Sequence, residues 1–246
     1  MNRLSRIAFA LVLLVCAMPA LAQASSAMPF PYRAEYEVLS DGKPVGHATV
    51  QLRRDGIGQW MLTSHTRGER GMAAMAGLDV QESSRFAFDP ASGKFRSLSY
   101  HYRQKAAFRT RERSVAFDAA NRRIISQDQG REYRLDYRAD ALDRQTVTLA
   151  IAHALAQGEH GEFSCFVADR EQVSEHRYRF AGEEPVSTPA GDFPAIKLER
   201  EREGDARRQT TIWLSARHGH APLRVVQTER NGSRYEMRLE TFERLE

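Results

Sequence analysis

Alternation of apolar and polar residues along most of the chain is the feature that most restricts its fold. Tyr32, Ala34 and Tyr36 are apolar or aromatic, whereas Arg33 and Glu35 between them are charged. Side chains of a β-strand point alternately to opposite faces of the sheet, so this pattern predicts strands with one buried and one wet face. Because the alternation returns after each turn signal, we expect a mainly antiparallel β protein.

Turn residues divide the alternating segments into roughly eleven to thirteen strands. Asp41-Gly42 and Asn231-Gly232 are typical of hairpin turns. So many strands favour a strongly curved sheet or a half-open barrel, because closure removes exposed strand edges. Residues 108–117 are rich in charge and lack a clean apolar face, which predicts an edge strand protected by charge. No low-complexity linker interrupts residues 23–246, so they are predicted to form a single β-rich domain.

One amphipathic helix is predicted over residues 140–157. Asp140 is a suitable N-cap, Asp143 would lie in the first turn, and Gly158 is a suitable terminator. We expect the apolar stripe of this helix to pack on the sheet or in the mouth of a barrel. The stripe comprises Val147, Ala150, Ile151, Ala154 and Leu155.

The first residues of the chain have the pattern of a secretory signal. Arg3 and Arg6 precede the apolar residues 7–18, and Ala20-Leu21-Ala22 is a small-x-small cleavage site. We therefore expect residues 1–22 to be a cleaved signal peptide and the protein to be periplasmic. After cleavage no apolar run is long enough to form a transmembrane span.

Cysteine usage predicts a fold that does not depend on disulfides. Cys16 lies inside the signal-like segment, and Val15 before it is not the small residue that a lipoprotein signal needs. Cys165 would then be alone, so it cannot form an internal disulfide. Its alternate spacing with Phe163 and Val167 predicts a small buried apolar residue rather than a reactive thiol.

Charge argues against nucleic acid as a partner. The formal net charge of +4 includes Arg3 and Arg6, so the remaining chain carries only about +2. Positive and negative residues also interleave, as in residues 199–203, which is typical of a solvated strand face.

No segment carries a recognisable catalytic constellation. The sequence has no Gly-x-Ser-x-Gly, its glycines lie in hairpin turns rather than in phosphate-binding loops, and no carboxylate pair stands out. His218 and His220 are the nearest approach to a metal site, but a third ligand is not evident. We therefore expect no catalytic residues and no cofactor, with a metal-dependent hydrolase built on these histidines as a remote alternative.

Aromatic strand faces and a methionine-rich segment suggest a ligand cavity. The segment between Gly71 and Gly77 fits either a plug on the core or a mobile, adaptable flap over a cavity. The aromatic residues either fill a core or line a barrel too wide for its side chains to fill. The candidate ligand-binding residues are Trp60, Met72, Met75, Tyr100, Tyr102, Tyr133 and Tyr137.

Several segments together resemble an exported bacterial family known as domain of unknown function 3108. The resemblance covers nearly all of residues 23–246, and it implies export, one β-rich domain and no known cofactor or catalytic residue. The segments that carry it are Tyr32-x-Ala34-x-Tyr36-x-Val38 followed by Gly42 and Val45-Gly46, then Thr188-Pro189-Ala190-Gly191-Asp192-Phe193-Pro194, then Trp213-Leu214-Ser215 followed by Pro222-Leu223-Arg224-Val225.

These observations favour a non-enzymatic envelope protein that binds a lipid or another apolar or amphipathic molecule inside a curved sheet. The alternative is an envelope scaffold that binds a protein partner and has a filled core with an apolar patch outside. A cavity of about 300 Å³ or more separates the two hypotheses, because ligand sites are usually at least that large.

Overall fold

The computed structural model describes residues 29–201 and 208–246, and within them fourteen strands form a single antiparallel sheet. The predicted signal peptide, residues 1–22, lies outside the described residues. The strands are β1 (Tyr32–Ser40), β2 (Lys43–Arg54), β3 (Gln59–Gly68), β4 (Asp79–Asp89), β5 (Lys94–Ala106), β6 (Arg109–Asp118), β7 (Arg123–Asp128), β8 (Arg131–Leu135), β9 (Glu162–Asp169), β10 (Gln172–Thr188), β11 (Gly191–Glu201), β12 (Gln209–Ser215), β13 (Ala221–Thr228) and β14 (Arg234–Arg244).

Consecutive strands pair with each other except β8 and β9, and β1 also pairs with β14. The first and last strands therefore lie in the middle of the sheet, and β8 and β9 are its two edges. The sheet curls until these edges approach each other, which gives the nearly closed barrel that the strand count favours.

The segment after β8 joins the two edges. Leu142 forms a parallel bridge with Val167 of β9, in which it donates its N–H to Phe166 at 2.8 Å and accepts the N–H of Ala168 at 2.9 Å. Inside the barrel, Arg113 of β6 donates to Asp169 of β9 at 3.0 Å, and its Nε lies 3.4 Å from Asp128 of β7. Backbone and ionic contacts thus close the seam that the sheet leaves open.

Helix α2 (Thr146–Ala156) lies in the barrel interior and packs on both halves of the sheet. Leu149 and Ala152 belong to a core that includes residues of β1–β4 and β10–β14, whereas Val147, Ile151 and Leu155 belong to the core formed with β9–β12. Burying a large apolar side chain contributes about 1.5–3 kcal/mol, so these contacts are sufficient to hold the helix inside. A short helix, α1 (Gly71–Met75), follows β3, and a 3-10 turn, Ala216–His218, follows β12.

The predicted helix began too early. Residues 140–145 are not helical, because Leu142 is held in the bridge with β9 and Asp143 anchors the chain before the first helical turn. Asp140 does not cap the helix and instead forms an ion pair with Arg138 at 3.1 Å. The predicted end is confirmed, since Gly158 follows the helix with a φ of 82°.

The predicted edge strand was also wrong. Residues 108–117 correspond mostly to β6, which pairs with both β5 and β7 and is therefore an interior strand. Its buried charge, Arg113, is neutralised by carboxylates on other strands, which the local sequence does not reveal. The sequence analysis also missed β7, whose inward-facing residues are Ile124 and the polar Ser126.

Asp143 attaches the start of α2 to the sheet. Its buried carboxylate accepts hydrogen bonds from the hydroxyls of Ser84, Ser97 and Thr146, each at 2.6 Å. It also accepts the backbone N–H groups of Gln145 at 2.9 Å and Thr146 at 3.1 Å. Serines of β4 and β5 and the first turn of the helix therefore share one anion.

We expect Asp143→Asn to lower the free energy of unfolding by about 2 kcal/mol or more, because the amide cannot accept all five hydrogen bonds and introduces donors of its own. Asp140→Asn is the matched control, since Asp140 is exposed and loses only a surface ion pair, worth at most about 1 kcal/mol. Urea unfolding followed by circular dichroism measures both variants. Equal losses in the two variants would show that Asp143 is not a structural anchor.

Candidate functional site

The interior of the barrel contains a small apolar pocket between α2 and the strands. Its volume is about 230 Å³, and Leu149 of α2 faces β1, β2, β3, β13 and β14 across it. Tyr36 is fully enclosed and donates its hydroxyl to the backbone oxygen of Pro222 at 3.0 Å, which fixes one wall. The apolar lining consists of Tyr32, Tyr36, Val50, Leu62, Leu149, Pro222, Val225 and Met237.

One larger polar chamber shares a wall with this pocket. The arginine chamber, about 670 Å³, lies against β9–β12 and shares Arg144 and Thr148 with the apolar pocket. A separate polar groove of about 710 Å³ lies against β3–β6, but most of its lining side chains, such as Thr63, Ser83 and His101, point away from α2. The interior is thus amphipathic, with an apolar pocket beside one polar chamber.

The arginine chamber opens at one end of the barrel, here called the mouth. Arg170 of the β9–β10 turn lines this chamber, so the mouth lies at the end formed by connections that follow odd-numbered strands. The end of α2 lies at the opposite end, where a Cβ on Gly93 of the β4–β5 turn would come within 2.8 Å of His153. The helix therefore obstructs one end and leaves the mouth accessible.

Charged and phenolic groups on the inward faces of β4–β6 are paired. Tyr100 donates its hydroxyl to Glu82 at 2.7 Å, and burial together with that carboxylate raises the pKa of Tyr100 well above its usual range. Arg113 lies over the ring of Tyr102, with 5.4 Å between the guanidinium carbon and the ring centroid. Burial also raises the pKa of Tyr102, although Arg113 opposes this shift. Both phenols therefore stay protonated near neutral pH.

The arginine chamber contains guanidinium groups that form fewer hydrogen bonds and ion pairs than the groups on β4–β6. Arg144 is surrounded by protein yet exposed to the solvent of the chamber. Burial lowers its pKa, but the acidic groups around it, Tyr100, Glu82 and Asp169, raise the pKa overall. Burial also lowers the pKa of Arg200, and the positive charges of Arg144 and Arg208 act in the same direction. The three arginines are therefore close enough to repel one another.

The predicted ligand-binding residues occupy three different places. Tyr100, Tyr102, Tyr133 and Tyr137 pack in one hydrophobic cluster near the seam. Trp60 is buried in the main core, with the Arg54 guanidinium 4.7 Å above its ring. Ligand binding by these residues stays a prediction.

Met72 and Met75 lie on α1 at the mouth, where 77% and 82% of their surfaces are exposed. Helix α1 buries none of its residues, so it is not a plug on the core. Ala107 of the β5–β6 turn donates its N–H to Ala76 at 2.5 Å, which places the fully exposed Phe108 beside the end of α1. The methionine-rich segment is thus part of an apolar rim.

The sequence analysis did not select the residues that line the apolar pocket and its polar boundary. Tyr32 and Tyr36 belonged to the alternating aromatic pattern, and their inward positions follow from it. Glu82 and Arg144 gave no local signal, because they come together only when β4 and the segment before α2 meet inside the barrel.

His218 and His220 do not share a site with further ligands. The ring of His218 lies between those of Phe193 and Phe242, and burial lowers its pKa. His220 is buried, and its Nδ1 has no hydrogen-bond partner. In residues 29–201 and 208–246, no group of three or more histidine, cysteine, aspartate or glutamate side chains could hold a metal ion.

Comparison with known proteins identifies a family and a fold. The sequence profile of a family described as "Protein of unknown function (DUF3108)" matches residues 31–240, which confirms the resemblance found in the sequence. No curated protein matches the chain.

A crystal structure of a β-barrel-like protein of domain of unknown function DUF1849 from Brucella abortus aligns with a TM-score of 0.57 at 9% identity. It covers 90% of this chain and 100% of that chain. A protein from Bacteroides fragilis, described as exported and of YmcC-like fold, aligns with a TM-score of 0.36 at 10% identity, over 89% of this chain and 98% of that chain. At these identities the first similarity shows the fold alone, and the second is too distant to support any argument. Among the described residues, no helix is long and apolar enough to cross a membrane.

Cys165 is half-buried, and burial raises the pKa of its thiol to about 12. A raised pKa means less thiolate at a given pH, and the thiolate is the reactive form. We expect iodoacetamide at pH 8 to alkylate Cys165 of the folded protein at least about a hundredfold more slowly than Cys165 of the urea-unfolded protein. Mass spectrometry of time points measures both rates. Similar rates in the two states would show that the thiol is accessible and reactive, contrary to the sequence prediction.

Proposed function

We propose that this chain, which belongs to the DUF3108 family of proteins of unknown function, is an envelope protein that binds an amphipathic small molecule inside its barrel. The observation that carries the proposal is an apolar pocket that opens into a larger polar chamber within one continuous sheet. A fold stabilised only by its core would fill this space with side chains, since protein interiors pack as densely as organic crystals.

Cavity size favours an amphipathic ligand over a purely apolar one. The apolar pocket, at about 230 Å³, is smaller than the roughly 300–1,000 Å³ typical of small-molecule sites. The adjoining arginine chamber has a volume of about 670 Å³. A ligand that occupies the interior therefore places a short apolar part beside Leu149 and extends a polar part into a chamber.

Location in the periplasm is part of the proposal and rests on the signal-like pattern of residues 1–22. A lipid-like ligand suits that compartment, because an apolar molecule that crosses water between membranes needs a cavity to shield it.

A scaffold function is the second candidate, and the exposed Met72, Met75 and Phe108 at the mouth favour it. Its other requirement, a filled interior, conflicts with the cavity volumes. Ligand titration separates the two functions, because a scaffold needs no occupant in the barrel.

The test uses N-phenyl-1-naphthylamine, an uncharged apolar dye that fluoresces when it leaves water. We expect saturable binding to the purified exported protein after its lipids are extracted. In Val50→Trp the larger side chain enters the apolar pocket, so we expect the affinity to fall at least about tenfold, a loss of about 1.4 kcal/mol.

Thr49→Trp is the matched control, because Thr49 precedes Val50 on β2 and its side chain points to the opposite face. It is expected to leave dye affinity unchanged, and circular dichroism shows whether both variants fold. Absence of saturable binding, or equal effects of the two tryptophans in folded proteins, would refute binding in the interior.

A further inference from the structure

Arg144 stands at the boundary between the apolar pocket and the arginine chamber, since it lines both. Its backbone is fixed on one side by Asp143, whose buried carboxylate is anchored to β4 and β5. On the other side Gln145 donates its amide to Ser64 at 3.1 Å. The position of this arginine in the interior is thus determined by the packing of the neighbouring residues.

Among the described residues, Arg144 has no hydrogen bond and no ion-pair partner, although carboxylates lie nearby. Those carboxylates are engaged elsewhere. Asp169 accepts from Arg113 at 3.0 Å, and Glu82 accepts from Tyr100 at 2.7 Å. The guanidinium of Arg144 therefore presents its donors to the solvent of the chamber.

Arg200 contributes a second guanidinium group with an unused hydrogen-bond donor to the same chamber. Its Nε is buried without a hydrogen-bond partner. Arg208, in contrast, pairs with Glu229 at 3.2 Å. The charged groups that line the chamber are Arg144, Arg170, Arg200 and Arg208 against Asp169 and Glu171, with His176 as a further titratable group. The arginines therefore outnumber the carboxylates in this chamber. Asp169 is in addition already hydrogen-bonded to Arg113, which further reduces the negative charge available to the chamber arginines.

We propose that Arg144, assisted by Arg200, binds the anionic head of the amphipathic ligand, and that this head is a carboxylate, phosphate or sulfate group. The assignment rests on the proposed function, and it adds the chemical class of the ligand. Guanidinium groups match planar or tetrahedral oxyanions with paired hydrogen bonds. An anion between Arg144 and Arg200 also relieves the repulsion between these arginines.

The geometry allows one molecule to occupy both the apolar pocket and the arginine chamber. An apolar tail occupies the space beside Val50 and Met237, and the head lies where the pocket meets the arginine chamber, at Arg144. The mouth is the route of entry, because the Arg170 turn borders the chamber there.

The test compares ligands that share one tail. Dodecanoate, dodecyl phosphate and dodecanol are each used to displace N-phenyl-1-naphthylamine from the exported protein. We expect the two anions to bind at least about tenfold more tightly than dodecanol. In Arg144→Gln this difference disappears while dodecanol affinity is unchanged, because the tail pocket is intact. Arg33→Gln, which removes the same charge from the outer face of β1, is expected to preserve the difference.

Three results would overturn the assignment. The anions could bind no more tightly than dodecanol, or Arg144→Gln could weaken all three ligands equally, which would indicate a structural role. Inorganic phosphate could bind at Arg144 as tightly as the tailed anions, which would identify a free anion as the ligand. If dodecanol and the dye bind but the anions gain nothing, only the head-group assignment fails. If none of the tailed ligands binds, the proposed function fails as well.

Discussion

The buried carboxylate of Asp143 is the interaction on which the arrangement of the interior depends. A charge without water is costly unless hydrogen bonds replace its hydration, and three hydroxyls and two backbone N–H groups do so here. These groups come from β4, β5 and the start of α2, so one anion joins the helix to the sheet. Because the helix begins at this point, its apolar residues reach both halves of the core and Arg144 lies between the pocket and a chamber.

Alternation in the sequence predicted the antiparallel class and the curled sheet because period two is a local property of strands. What it could not predict depends on partners distant in the chain. Arg113 made β6 resemble an edge, and only its contact with Asp169 shows that this charge closes the interior. The local sequence favoured Asp140 as the cap of the helix, whereas the serines that bind Asp143 lie more than forty residues earlier in the chain. Local rules thus predicted the elements, and distant contacts determined their boundaries.

The candidate site was less predictable than the fold for the same reason. The tyrosines at alternating positions predicted an aromatic interior, and the structure has one. Many of these tyrosines pack in the hydrophobic cores rather than beside a cavity. Arg144 belongs to a charged stretch that is typical of a solvated surface, and its position inside the barrel follows only from the closure of the seam by Leu142. A curved sheet can place polar residues in an interior that the sequence alone presents as a surface.

Arg144, at the boundary of the apolar pocket, contributes little to the stability of the fold, so its presence there is better explained by function. Within residues 29–201 and 208–246 the guanidinium of Arg144 has no ion-pair partner that offsets its lost hydration, whereas an apolar residue at the same position would extend the contacts of Leu149. The water-accessible chamber limits this cost by keeping Arg144 solvated, and it leaves the donors of the guanidinium available. The same geometry that makes the interior a poor core makes it a suitable site for a molecule with one apolar and one anionic end.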